Sequence, residues 1–276
     1  MSTFNAIMNG LFDLICFPFQ KLNPVIGLVV ISLAAGVLLL LLFKYTSPQE
    51  TIKKTKDRLW GNLHEIRLFQ DDLGVISRAI VRLFKENALY LGCCSLALLP
   101  MLLVMAPILF QLDSRYGFEP LKAGQSVVLD VTLGEGLDPV TADVRLELPE
   151  GLSLEAGPVR AHSTRELLYR LRVEQPGEYL AQIHVGGETY TKRVDARAGL
   201  ANISPGRYSS ERTLDALMYP AEPPFAKDAP LDAVSLRHAR AAMLGMDGDM
   251  FPWLIIFCVV GLLFGFAMKG VLKVNL

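Results

Sequence analysis

Apolar and polar positions change rhythm three times along this chain. Residues 25–43, 88–112 and 250–268 are apolar runs without a single charged side chain. A helix needs ~20 apolar residues to cross the hydrocarbon core, so each run is expected to span a membrane. Pro100 and Pro107 fall inside the second run, where neighbouring groups can satisfy the carbonyls that they free. Ahead of the first run, Phe4, Ile7, Met8, Leu11, Phe12, Ile15 and Phe19 recur at helical spacing, with Asn5, Asn9 and Asp13 off the stripe. Residues 1–24 are therefore expected to hold an amphipathic helix too short to span, lying in the membrane interface or packed on the bundle. Asn23-Pro24 then turns the chain into the first run.

Residues 44–87 read as a helical hairpin. Ser47 suits an N-cap, with Pro48 in the first turn. Ile52, Leu59, Leu63, Ile66 and Phe69 or Leu73 form one stripe, and Ile76, Ala79, Ile80, Leu83 and Phe84 form a second. The break between them, 70–74, ends in Gly74, which fits a helix C-cap or tight connection. Two helices of roughly 20 and 13 residues can bury such stripes against each other as an antiparallel coiled-coil hairpin.

Beyond the second run the period falls to two. Residues 126–133, 142–148, 166–173, 177–185 and 189–194 alternate apolar with polar, and Gly186-Gly187-Glu188 joins the last two as a hairpin. The fold class expected is therefore an α-helical membrane protein with an all-β, immunoglobulin-like sandwich over 113–197. Residues 198–249 read as an irregular connection, with weak helical periodicity over 231–244, and 269–276 as a short tail.

Charge orients the spans. Residues 44–86 hold nine basic and six acidic side chains, whereas 113–249 hold 15 basic and 21 acidic. Lys and Arg gather on the cytoplasmic side, which places the hairpin and the C-terminus inside and the N-terminus and 113–249 outside a bacterial inner membrane. A cleaved signal peptide fits the first run poorly, for it lacks a basic start and a small-residue cleavage site. The overall net charge of −1 gives no basic surface for nucleic acid. The cysteines, Cys16, Cys93, Cys94 and Cys258, all lie outside 113–249, so the β region must fold without a disulfide; Cys93-Cys94 reads as apolar packing. His64, His162, His184 and His238 are scattered, and Asn202-Ile203-Ser204 is a chance-level glycosylation tripeptide. No phosphate loop, paired-cysteine metal site or nucleophile elbow occurs, so no cofactor, metal or catalytic residue is expected and an enzyme is not.

The order of elements, with Phe43-Lys44-Tyr45-Thr46-Ser47-Pro48 entering the basic hairpin and the run from Leu83 to Cys94 entering a proline-containing span, resembles the YidC/Oxa-type membrane insertase superfamily, most nearly its three-span members. The likeness covers residues 4–112 and, more loosely, 250–276. It implies assistance to the insertion, folding or assembly of membrane proteins. On that likeness Ser32, Ser95, Pro100, Pro107 and Gln111, with Thr46, would line a client path. Lys53, Lys54, Lys56 and Arg58 would meet a cytoplasmic partner, the nascent chain or ribosome. Membrane lipids, client membrane proteins and partner subunits are the partners implied. Two features depart from the family: 25–43 lacks the basic residue of the bacterial members' first core span, and a β domain replaces a short outer loop. The alternative is a non-catalytic membrane scaffold or complex subunit whose β-sandwich binds an envelope partner.

Overall fold

The computed structural model describes residues 2–20, 22–69 and 71–274. Two compact units share the chain, one of residues 1–28 and 107–255, the other of 29–106 and 256–276. The chain mixes helices with antiparallel sheet. Two helices, α2 (Pro24–Thr46) and α4 (Leu73–Tyr116), are long and apolar enough to cross a membrane. A third, α6 (Pro252–Met268), is apolar but only 17 residues long. Asn23 caps α2 by accepting the Val25 N–H at 3.0 Å, and Pro24 and Pro252 occupy first-turn positions where no amide hydrogen is needed.

In the unit of residues 29–106 and 256–276, α3 (Gln49–Leu68) and the first half of α4 form an antiparallel pair. Arg82 grips Glu65 at 2.7 Å, and Arg58 lies 3.4 Å from Glu86. On α3 the covered positions are Ile52, Thr55, Leu59, Asn62 and Ile66; on α4 they are Ile76, Ala79, Leu83, Glu86, Tyr90, Cys93 and Ala97. Both sets step by three and four, the seam of a coiled coil. Leu63, expected inside, is exposed because that alternation selects Asn62 instead. The second hairpin helix does not end near residue 87: α4 runs unbroken through Pro100 and Pro107. Gly74 lies in its first turn, not at a C-cap, and Asp72 caps the helix by accepting the Gly74 and Val75 N–H groups at 2.8 and 3.1 Å. Gln70, part of the expected break, lies outside the described residues. Ser47 turns back to the Phe43 carbonyl at 2.6 Å and leaves the α3 N-terminus without a side-chain cap.

Helices α2 and α6 meet backbone to backbone. A Cβ built on Gly36 would stand 2.7 Å from the Gly261 carbonyl oxygen, and one on Gly261 3.4 Å from that of Ser32. Small residues four apart permit this approach, which is how helices associate where apolar burial gives no driving force. Past α6 the chain folds back, so that Leu272 and Val274 join Leu40, Phe43, Ile52 and Ala97 in one apolar cluster. Lys44 ties this return down by donating to the Leu272 carbonyl at 2.8 Å.

The other unit contains α1 (Ser2–Cys16) and the β region. Strands β1 (Ser126–Leu133), β3 (Leu152–Ala161), β4 (Glu166–Val173), β7 (Gly206–Tyr208) and β8 (Leu231–Leu236) make a sheet of order β3-β4-β1-β8-β7. Strands β2 (Val144–Glu147), β5 (Glu178–Val185) and β6 (Glu188–Asp195) make a second, of order β2-β5-β6. All pairings within the strands are antiparallel. Leu129, Val131, Leu167 and Leu171 of one sheet and Ala181, Ile183 and Val194 of the other share a single core. Gly186 and Gly187 both take positive φ, 61° and 86°, as a two-residue hairpin of right-handed strands requires. Residues 231–236, expected to be helical, form β8 in the middle of the larger sheet, and the short helix α5 lies earlier, at Thr213–Met218.

Beyond β8, His238 lies edge-on to Phe118, and its Nδ1 is 3.2 Å from the Glu119 carbonyl oxygen. Burial pushes the imidazole pKa down to about 4, against the opposing pull of that carbonyl. The unfolded chain therefore takes up the proton first as pH falls. The stabilisation is whole above pH ~6.5 and lost through about pH 4, a change on the order of 3 kcal/mol. Thermal unfolding between pH 7 and 4 is expected to show a falling midpoint that His238→Gln flattens.

Candidate functional site

The polar edge of α1 faces the protein. Asn5 is 4 % exposed and donates to the Ala216 carbonyl at 3.1 Å. Asn9 donates to the Pro220 carbonyl at 2.8 Å and accepts from Gln111 Nε2 at 2.8 Å. Arg115, near the C-terminal end of α4, has a side chain 2 % exposed and reaches Asp13 at 2.5 Å. Its Nη1 also donates to the Gln111 side-chain oxygen, and its Nη2 to the Asn9 carbonyl at 3.4 Å. A buried guanidinium is tolerated only when its donors are used, and here they are spent on α1 and on Gln111. The opposite edge of α1 is left uncovered, with Ile7 65 %, Leu14 73 % and Phe17, just beyond it, 70 % exposed. The inward face of α1 thus mixes Asn5 and Asn9 with Phe12 and Cys16, while Ile7, Leu11 and Leu14 stay uncovered, unlike a soluble helix whose whole apolar stripe faces the core.

The residues expected to line a client path are divided between the two units. In the unit of residues 29–106 and 256–276, Ser32 is buried on the α2 face that meets Gly261, whereas Ser95 is exposed among leucines and Pro100 is half-buried. In the other unit, Pro107 is half-buried and Gln111 is committed to Asn9 and Arg115. Thr46 bonds back to the Leu42 carbonyl at 2.7 Å. Lys53, Lys54, Lys56 and Arg58 are all exposed on α3, with Lys54 4.0 Å from Glu50 and Arg58 paired to Glu86.

The concave surface of that unit is apolar instead. A crevice of about 330 Å³ is lined by residues including Leu39, Phe43, Met101, Phe257, Gly261 and Leu262. On the side of α4 turned away from the covered seam, Leu96, Leu99 and Leu103 stand 67 %, 69 % and 71 % exposed. Cys93 and Cys94 pack against the apolar cluster there, and all four cysteines are free.

One cluster carries chemistry that the sequence reading missed. Lys192 is fully buried and donates to the Ser204 carbonyl and hydroxyl, at 2.7 and 2.9 Å, and to Glu222. The Arg193 N–H supplies the other Glu222 oxygen at 2.8 Å. Burial pulls the Lys192 pKa below its ordinary value. Burial also opposes the Glu222 carboxylate, yet Lys192, Ser204 and the Arg193 amide hold its pKa below the usual range. A serine beside a lysine is the kit of a nucleophile and base. Here, however, Ser204 is 2 % exposed and both groups are spent on the carboxylate. The arrangement clamps β6 to the segment after it. Alternation carried the signal, for Lys192 shares its phase with Tyr190 and Val194 on the covered side of β6.

Among the described residues, no group of three or more His, Cys, Asp or Glu side chains could hold a metal ion. No family model, curated protein or solved structure matches the chain. The functional reading therefore rests on its own surfaces.

Removing one partner of a buried ion pair strands the other charge. Lys192→Met is expected to cost on the order of 3–5 kcal/mol, and adding Glu222→Leu to recover most of it. Denaturant unfolding of the detergent-solubilised chain checks this; equal losses in the single and double variants would contradict it.

Proposed function

We propose that this chain is a membrane-embedded factor of YidC/Oxa-like design that helps apolar segments of other membrane proteins to insert, fold or assemble. In this reading α2, α4 and α6 are its three spans, α6 at the lower end of spanning length. The α3–α4 hairpin is cytoplasmic by its Lys and Arg excess, and the β region, an immunoglobulin-like sandwich, lies outside a bacterial inner membrane. The observation that carries the proposal is the uncovered leucine surface of α4, together with an apolar crevice that the same helix lines through Met101. Only 11 % of the most apolar stretch of α4 is buried, whereas a core helix of a soluble protein is covered on most sides. Exposed apolar surface of this extent marks a face that meets lipid or another protein.

The client surface in this reading is apolar and open to lipid, not a hydrated groove. Ser32 serves helix packing, and the client helix meets Leu39, Met101 and Leu262 at the crevice. Lys53, Lys54, Lys56 and the exposed part of Arg58 would approach anionic headgroups or the emerging chain. The tight Gly36–Gly261 contact favours a second reading, a scaffold subunit with a closed bundle that holds one stable partner.

A photoreactive side chain at Met101 or Leu262 separates the two in the native membrane. Crosslinks to apolar segments of several newly made membrane proteins are expected. Capture of one stoichiometric partner establishes the scaffold instead, and capture of lipid alone contradicts both.

A further inference from the structure

At the C-terminal end of α1 a polar cavity of about 480 Å³ lies between Asp13 and Gln20, Arg115 near the end of α4, and Glu178, Arg193, Arg197 and Asn202 of the β region. Its walls carry both signs of charge. Arg197 is held by Asp195 through Nε at 3.2 Å and Nη2 at 2.5 Å and pairs with Glu178 through Nη1 at 2.9 Å. It nonetheless keeps 48 % of its side chain exposed, with a second hydrogen on Nη1 and on Nη2 still to give. Asp13, although paired with Arg115, is 62 % exposed. Arg193 donates through Nη2 to the Asn202 carbonyl, but its buried Nε has no hydrogen-bond acceptor, the Glu178 carboxylate standing 3.8 Å away. The buried Asn202 Oδ1 accepts nothing. Among the described residues, a guanidinium donor and an amide acceptor are thus left without a hydrogen bond beside the cavity.

A simple anion in this cavity would meet Asp13 and Glu178, and a simple cation would meet three arginines. A dipolar ligand satisfies both. The surface next to the cavity is apolar, because Leu14 and Phe17 stand exposed on the adjoining edge of α1. That combination calls for a polar head with a hydrocarbon tail. Among the described residues, no aromatic side chain lines the cavity, so they form no cage of the kind that quaternary ammonium groups prefer, whereas a primary ammonium can donate to carboxylates.

We propose that this cavity binds the headgroup of a phosphoethanolamine lipid. Its phosphate meets the guanidinium edges of Arg193 and Arg197, its ammonium meets Asp13 and Glu178, and its acyl chains run along Leu14 and Phe17. The assignment rests on α1 lying in a membrane interface.

The test reconstitutes the full chain in nanodiscs of equal phosphatidylethanolamine, phosphatidylglycerol and phosphatidylcholine. Lipid retained after detergent extraction is then read by native mass spectrometry. Phosphatidylethanolamine is expected to exceed each of the others at least tenfold. Glu178→Gln should cut that preference at least fivefold at an unchanged thermal midpoint, and Asp13→Asn should cut it as far while also lowering the midpoint, because it unpairs the buried Arg115. Equal retention of phosphatidylglycerol or phosphatidylcholine, or variants that keep the preference, overturns the proposal. Flotation with liposomes keeps the two levels apart. A chain that floats without selectivity refutes the headgroup site alone, and a chain that stays in the aqueous fraction refutes the membrane reading and the site with it.

Discussion

The ion pair of Arg115 with Asp13 fixes which way α1 faces. Asn5, Asn9 and Asp13 repeat every fourth residue and so share one edge of the helix. Gln111 and Arg115, also four apart, present the matching edge of α4. A buried guanidinium cannot remain unpaired, so the polar edge of α1 turns inward and Phe4, Ile7, Leu11 and Leu14 turn outward. A helix held in this way needs an apolar environment on its outer side, and the proposed lipid interface supplies one.

The other unit obeys a related logic with different parts. Where α4 pairs with α3, a three-four seam and flanking ion pairs hold the helices, as in a water-soluble coiled coil. Further along the same helix the seam continues through Tyr90, Cys93 and Ala97, while every other face shows leucine. Between α2 and α6 the contact is made by glycines and Ser32, which allow close approach without large side chains to bury. One continuous helix thus changes from surroundings suited to water to surroundings suited to hydrocarbon. That change is why we place the client surface on its apolar half.

Much of this was legible where a single period dominates. Alternation located β1 and β4 to the residue, and the Gly186-Gly187 pair located the β5–β6 hairpin. Strand β8 was not legible because both of its faces are covered: Leu231, Ala233, Val234 and Leu236 are all buried, so the period of two blurs into something resembling a helix. Strand β3 bears register shifts around Ala156 that break its alternation. The α3 seam was misassigned at Leu63 because Thr55 and Asn62 are polar residues at seam positions. Ser32 and Ser95 carry the same polarity in the sequence, which cannot distinguish a serine in a helix contact from one facing outward. The Arg115 cluster was present in the sequence only as two polar spacings of four, 102 residues apart at the ion pair itself.

The depth of α1 tests the central claim most directly. A nitroxide placed at Leu14 of the nanodisc-embedded chain should be relaxed strongly by oxygen and weakly by a water-soluble nickel chelate. Arg115→Met, which frees the polar edge, should reverse that order. A label at Leu14 that is open to the nickel chelate in the unaltered chain would contradict the account.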